Sequence, residues 1–130
     1  MNSVLLDTHA LQWWAVEPER LSPAAEGAIR AADELAVAAV SWFELGWLIR
    51  TGRLKLRMTA RAWIAQLARD IRTIGLSPAI AATAVELPAS FPGDPIDRLI
   101  VATAIEHGLR LVSQDRRIRD HDADRALVIW

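Results

Sequence analysis

Four acidic residues stand at places where strands should end. Asp7 closes the apolar run Val4-Leu5-Leu6, Glu44 follows the apolar run 35–40, Asp97 lies just inside a stretch opened by Asp94-Pro95, and Asp115 follows the run 109–113. Carboxylates gathered in one place repel one another and raise each other's pKa unless a positive charge intervenes. A hard divalent cation such as Mg²⁺ or Mn²⁺ suits such a group, because it prefers oxygen ligands. One or two such ions activate water and stabilise a leaving oxygen in phosphodiester hydrolysis, with no serine or thiol nucleophile.

Taken singly, most of these acids have a structural alternative. Ser41-Trp42-Phe43-Glu44 has capping-box spacing, which would make Glu44 a helix-start residue. Asp97 fits the first turn of a helix capped by Asp94, and Asp115 can cap a short helix over 116–119. Asp7 has no such role on this reading, since an acid ending an apolar strand helps neither helix nor sheet. The metal reading draws its force from all four together.

The elements that must position them alternate. Short strand-like runs fall at 4–6, 35–40, 73–76, 109–113 and 126–130. Helices are expected from Thr8 to about Trp14, from Ser22-Pro23, from Ser41 to about Arg50, from Thr59 to about Arg72, from Pro78 to before Pro88, and over Ile96 to His107 with Gly108 as the stop. Such alternation predicts an α/β domain with a mostly parallel sheet and helices on both faces, and ligands bind such sheets beyond the carboxyl ends of their strands. The chain reads as one domain over 1–130.

Composition narrows the class. The 130 residues are 52% hydrophobic and 24% charged, enough for a real core. There is no cysteine, so neither disulfide nor thiolate metal site is available. No signal-peptide pattern or membrane-length apolar run is present, and a soluble, cytoplasmic protein is expected. The net charge of −1 means that any nucleic-acid site must be a local basic patch. Candidates are Arg98, Arg116 and Arg117 beside the acids, equally readable as solvated surface, and the alternating Arg53, Lys55 and Arg57, for which a solvated edge is the favoured reading. His9, His107 and His121 form no metal-ligand pattern.

Together these residues resemble the PIN-domain family, and within it the VapC toxins. The pieces are Leu5-Leu6-Asp7-Thr8-His9, Ser41-Trp42-Phe43-Glu44, Gly52-Arg53-Leu54-Lys55-Leu56, the run from Asp94 to Ala104, and Leu111-Val112-Ser113-Gln114-Asp115. Their order and separation carry the match across essentially the whole chain. The resemblance implies a PIN-like three-layer α/β/α fold and a Mg²⁺- or Mn²⁺-dependent RNA endonuclease acting in the cytoplasm. It maps an acidic quartet onto Asp7, Glu44, Asp97 and Asp115, and hydroxyl positions onto Thr8 and Ser113. Asp94 matches a frequent acid but is read as an N-cap.

The resemblance also implies a VapB-like antitoxin partner and a homodimer. The helix from Ser41 carries Trp42, Phe43, Leu45, Trp47, Leu48 and Ile49, apolar nearly all round. A groove lined by Trp47 and by Trp13 or Trp14 is therefore expected, filled by an apolar partner segment whose tail sends a basic residue toward an acidic cluster that lacks a lysine of its own. Two other readings compete: a receiver-like Mg²⁺-binding domain, disfavoured because its lysine could only be Lys55, and a non-catalytic module in which the acids are caps.

Overall fold

The computed structural model describes residues 1–122 and 126–130. Five parallel strands form one sheet in the order β3-β2-β1-β4-β5. They are β1 (Ser3–Leu6), β2 (Glu34–Ala38), β3 (Arg72–Ile74), β4 (Arg110–Val112) and β5 (Val128–Ile129). Every pair is parallel, with Leu5 opposite Ala36 on one side and Leu111 on the other.

Alternation of side chains along the strands builds two cores. Val4, Leu6, Val37 and Val112 face one cluster; Leu5, Ala36, Ala38 and Leu111 face the other. The first face is covered by α1 (Thr8–Val16), α2 (Pro23–Ala31), α3 (Ala39–Arg50) and α4 (Ala60–Ala68). The second is covered by α5 (Pro78–Glu86), α6 (Pro95–His107) and α7 (Arg116–Asp120). This is the expected three-layer α/β/α arrangement. A sheet buried on both faces needs strands with no polar side, which is why runs such as Val4-Leu5-Leu6 are continuously apolar. No described helix is long and apolar enough to cross a membrane.

The strand order reverses between β1 and β4, so their carboxyl ends flank a crevice at the centre of the sheet. The local signals largely fall where expected. Ser22, Thr59 and Ser77 cap α2, α4 and α5 through their hydroxyls, and Gly108 takes the left-handed conformation (φ 62°) that ends α6. The strand expected over 35–40 stops at Ala38, because α3 begins two residues before Ser41. The strands expected at 73–76 and 126–130 are likewise shorter, at Arg72–Ile74 and Val128–Ile129. A 3-10 turn over Pro18–Arg20 has no counterpart among the expected elements.

Candidate active site

Asp7 immediately follows β1, and its backbone N–H donates to the Val112 carbonyl (3.1 Å), so the acid is fixed at the crevice. Its side chain also caps α1, accepting from the Ala10 N–H at 2.8 Å. The expectation that Asp7 does nothing for a helix is therefore corrected: α1 starts directly at Thr8, and an acid between strand and helix satisfies one of the helix's orphan N–H groups. Ser113, fully buried after β4, hydrogen-bonds the Asp7 carboxyl and accepts from the Asp115 N–H at 3.1 Å. One hydroxyl thus ties the acids at the two central strand ends.

Glu44 is not a capping-box residue, a second correction. The N-cap of α3 is Ala38, without a side-chain bond, which puts Glu44 in the second turn. Ser41 is buried and accepts from the Thr8 hydroxyl at 3.1 Å. That bond pins α3 to the end of β1. Glu44, three residues on, shares the Ser41 side of the helix. Asp97 sits in the first turn of α6, whose N-cap Asp94 accepts from the N–H groups of Ile96 (2.8 Å) and Asp97 (3.4 Å). Asp115 caps α7 through the Arg117 N–H at 2.9 Å.

Asp7, Glu44, Asp97 and Asp115 line one open cavity of about 470 Å³, together with Asp94 and His9. The quartet thus converges from four elements. Its electrostatics follow from crowding. The Asp97 carboxyl is pushed up to about 7, first by burial and then by Asp94, Asp115 and Glu44, with Arg117 opposing. Burial raises Asp7 as well, offset in part by Ser113, the Ala10 N–H and His9. Asp115 goes the other way: burial would raise it, but hydrogen bonds from Arg117 hold it below the usual value.

Residues 4–124 match the PIN domain family. The chain belongs to the PIN-domain family. It is 58% identical over 130 residues, the whole of both chains, to ribonuclease VapC22 of Mycobacterium tuberculosis (strain ATCC 25618 / H37Rv). Two solved structures share the fold at lower identity. VapBC2 from Rickettsia felis, bound to a DNA fragment from its promoter, has a TM-score of 0.68 at 14% identity, covering 97% of this chain and 96% of that one. A toxin–antitoxin complex from Klebsiella pneumoniae has a TM-score of 0.65 at 23% identity, with 86% of each chain covered.

Within this PIN domain the residues expected around the acids divide. Ser113 and Thr8 position the quartet through the bonds just described. Arg116 is exposed and lines the cavity. Arg98 does not line it: its guanidinium donates to the carbonyls of Ala84, Leu87, Pro88, Phe91 and Pro92 at 3.0–3.2 Å. Bonds from a charged donor are worth about 1.5–3 kcal/mol each, so Arg98 locks the loop between α5 and α6 and its expected phosphate role is withdrawn.

Arg117 takes the prominent place instead. It reaches Asp97 at 3.3 Å and Asp115 at 2.9 Å, so the acids carry an arginine and no lysine. The sequence placed Arg117 beside the site, but nothing in it says that the side chain folds back across a helix start. Arg119 also lines the cavity, though it was not among the expected residues; it lies one helical turn after Arg116.

The donor set fits a hard divalent cation, since the quartet offers only carboxylate oxygens and stores like-charge repulsion that a cation would relieve. Among the described residues, no three acidic or histidine side chains are already grouped to hold one ion. Arg117 stands where positive charge is needed and bridges two of the four. Occupation by a cation therefore requires the carboxylates to draw together and Arg117 to yield.

Proposed function

We propose that this chain is an endoribonuclease toxin of the VapC type that hydrolyses RNA phosphodiester bonds in this cavity with Mg²⁺ or Mn²⁺. The observation that carries the reading is the convergence of Asp7, Glu44, Asp97 and Asp115 from four elements onto one open cavity at the switch point of the sheet. Full-length similarity to a ribonuclease supports it.

Asp7, Glu44, Asp97 and Asp115 would hold the ion. When bound, it polarises the phosphoryl group and lowers the pKa of water. Ser113 and the Thr8–Ser41 bond keep the ends of β1, β4 and α3 in register, so the movement that ion binding requires is left to the carboxylates and Arg117. Without the ion, crowding raises the Asp97 carboxyl to about 7, and binding of the ion would release its proton. Arg117, once released from Asp97 and Asp115, offers a guanidinium to the phosphodiester. The purified chain is expected to cut single-stranded RNA in Mg²⁺ or Mn²⁺ and to stop in chelator. Undiminished cleavage in chelator would rule out the metal, and no cleavage in any divalent ion would rule out the nuclease.

The partner reading is a VapB-like antitoxin seated on α3. Phe43 and Trp47 are 68% and 54% exposed, with their rings stacked at 6.3 Å, an apolar surface that the monomer leaves in water. The expected groove is narrowed accordingly: Trp13 is buried and Trp14 half-buried against the core, so α3 alone presents the surface. That the solved relatives are toxin–antitoxin complexes supports a protein partner here. A second copy of the chain is the other occupant proposed for apolar surface of this kind. Trp47→Ala is expected to weaken co-purification with the antitoxin about tenfold or more, as for an interface hot spot, while barely moving the melting temperature. Equal capture by variant and unsubstituted chain would remove α3 from the interface.

A further inference from the structure

Beside the acidic cavity lies a second one of about 400 Å³, lined by Arg116, Arg119, Asp120, Asp122, Val128 and Trp130. Arg116 and Arg119 line both. The two cavities are joined on their aromatic side as well, since Trp13 of the first and Trp130 of the second approach to 5.7 Å between ring centroids. The second cavity has no role in the chemistry described above.

Its charges are unevenly committed. Asp122 is spent on the backbone N–H groups of Leu127 and Val128, at 2.8–3.2 Å. Arg117 is spent on the acids. Arg116 is exposed and enters none of the ion pairs found among the described residues, and the buried Nε of Arg119 has no hydrogen-bond partner there. Asp120 is exposed and enters no ion pair found among the described residues, so two free guanidiniums, one with a desolvated donor unmet, stand against one free carboxylate. Without its ion the acidic cavity holds a polyanion poorly, because five carboxylates line it against three arginines. A strand must be held next to it, and the junction is where free positive charge meets an aromatic ring.

We infer that the second cavity binds the nucleotide adjoining the scissile bond of single-stranded RNA, its phosphate taken by Arg116 and Arg119 and its base stacked on Trp130; this rests on the ribonuclease reading. Arginine suits phosphate through its planar fork of donors. Unpaired bases stack on aromatic side chains, and this is how proteins hold single-stranded RNA. Phosphate contact and stacking both tolerate any base, so the subsite places the strand against the acids rather than reading its sequence.

The test uses a short fluorescein-labelled single-stranded RNA, read by anisotropy, in an Asp97→Asn background that leaves it uncut. Arg116→Ala and Arg119→Ala should each weaken binding about tenfold, and together lower the log–log salt slope by about 0.7, the share of one phosphate no longer neutralised. Trp130→Leu should weaken binding about tenfold, and Trp130→Phe should restore most of it. Arg116 is exposed and unpaired, so its alanine variant keeps the fold and remains decisive if the Trp130 variants do not. Unchanged affinity and salt slope in Arg116→Ala would overturn the proposal. So would loss of antitoxin capture with RNA binding intact, which would give the cavity to a protein. RNA neither bound nor cut by the unsubstituted chain would sink the ribonuclease reading itself, a separate outcome.

Discussion

Asp97→Asn is expected to lower RNA cleavage by about a thousandfold or more, with the fold intact. Metal-assisted charge stabilisation in phosphodiester hydrolysis is worth several kcal/mol, and each ~1.4 kcal/mol is tenfold in rate. The substitution removes one charged oxygen and almost no volume. Asp97 sits in the first turn of α6, where its backbone N–H still reaches Asp94, so the helix start survives. The Arg117 bridge loses one of its two anchors and keeps the shorter bond, to Asp115. Single-turnover cleavage of a labelled RNA in matched Mg²⁺, beside far-UV circular dichroism, makes the comparison. Equal rates from a folded variant would remove Asp97 from the chemistry, and a cap-only role would become sufficient.

The α/β/α architecture is readable because a parallel sheet covered on both faces writes itself as continuous apolar runs between helical stretches. Hydroxyls before Pro23, Ala60 and Pro78 likewise mark their helices correctly. The departures come where two local rules compete for one residue. Ser41-Trp42-Phe43-Glu44 satisfies the capping-box spacing, yet Ser41 is committed to Thr8 across the crevice, and α3 starts earlier on plain alanine. Tertiary contact overrides local pattern there. At Asp7 capping and a place in the cavity are not exclusive; the side chain does one through Ala10 and remains available for the other. Arg98 and Arg117 are interchangeable in sequence, each one or two residues after a quartet acid. Their opposite fates depend on where the loop 87–94 runs, and on how α7 leaves β4, neither of which has a local signature.

Melting temperature in divalent-free buffer should fall as pH rises from about 5 to about 8, and Asp97→Asn should reduce that fall, leaving the part that Asp7 contributes. An acid whose folded-state pKa lies above its unfolded value binds a proton more tightly when folded, so the folded state is penalised as pH rises through that interval. For Asp97 the interval runs from 3.8 to about 7; the penalty is absent below it and complete above it. Asp7, also raised by burial, acts in the same direction. Asp115 is lowered and acts oppositely, but its effect falls at and below its ordinary pKa, outside the range measured. At ~1.4 kcal/mol per pKa unit the Asp97 shift has a ceiling near 4 kcal/mol, and its partial exposure to solvent reduces this to about 1–2 kcal/mol. A domain of this size converts that into roughly 5 °C. The asparagine variant should therefore melt higher than the unsubstituted chain at pH 8, and the gap should narrow as pH falls toward 5. Mg²⁺ should reverse the order at pH 8, since it binds the full set of charges better than the depleted one and stabilises by mass action. A melting temperature that stays level or rises between pH 5 and 8 would contradict the crowding of carboxylates on which the metal site depends. So would an asparagine variant less stable at pH 8 without metal, for the site could not then be storing the repulsion that a cation is needed to relieve.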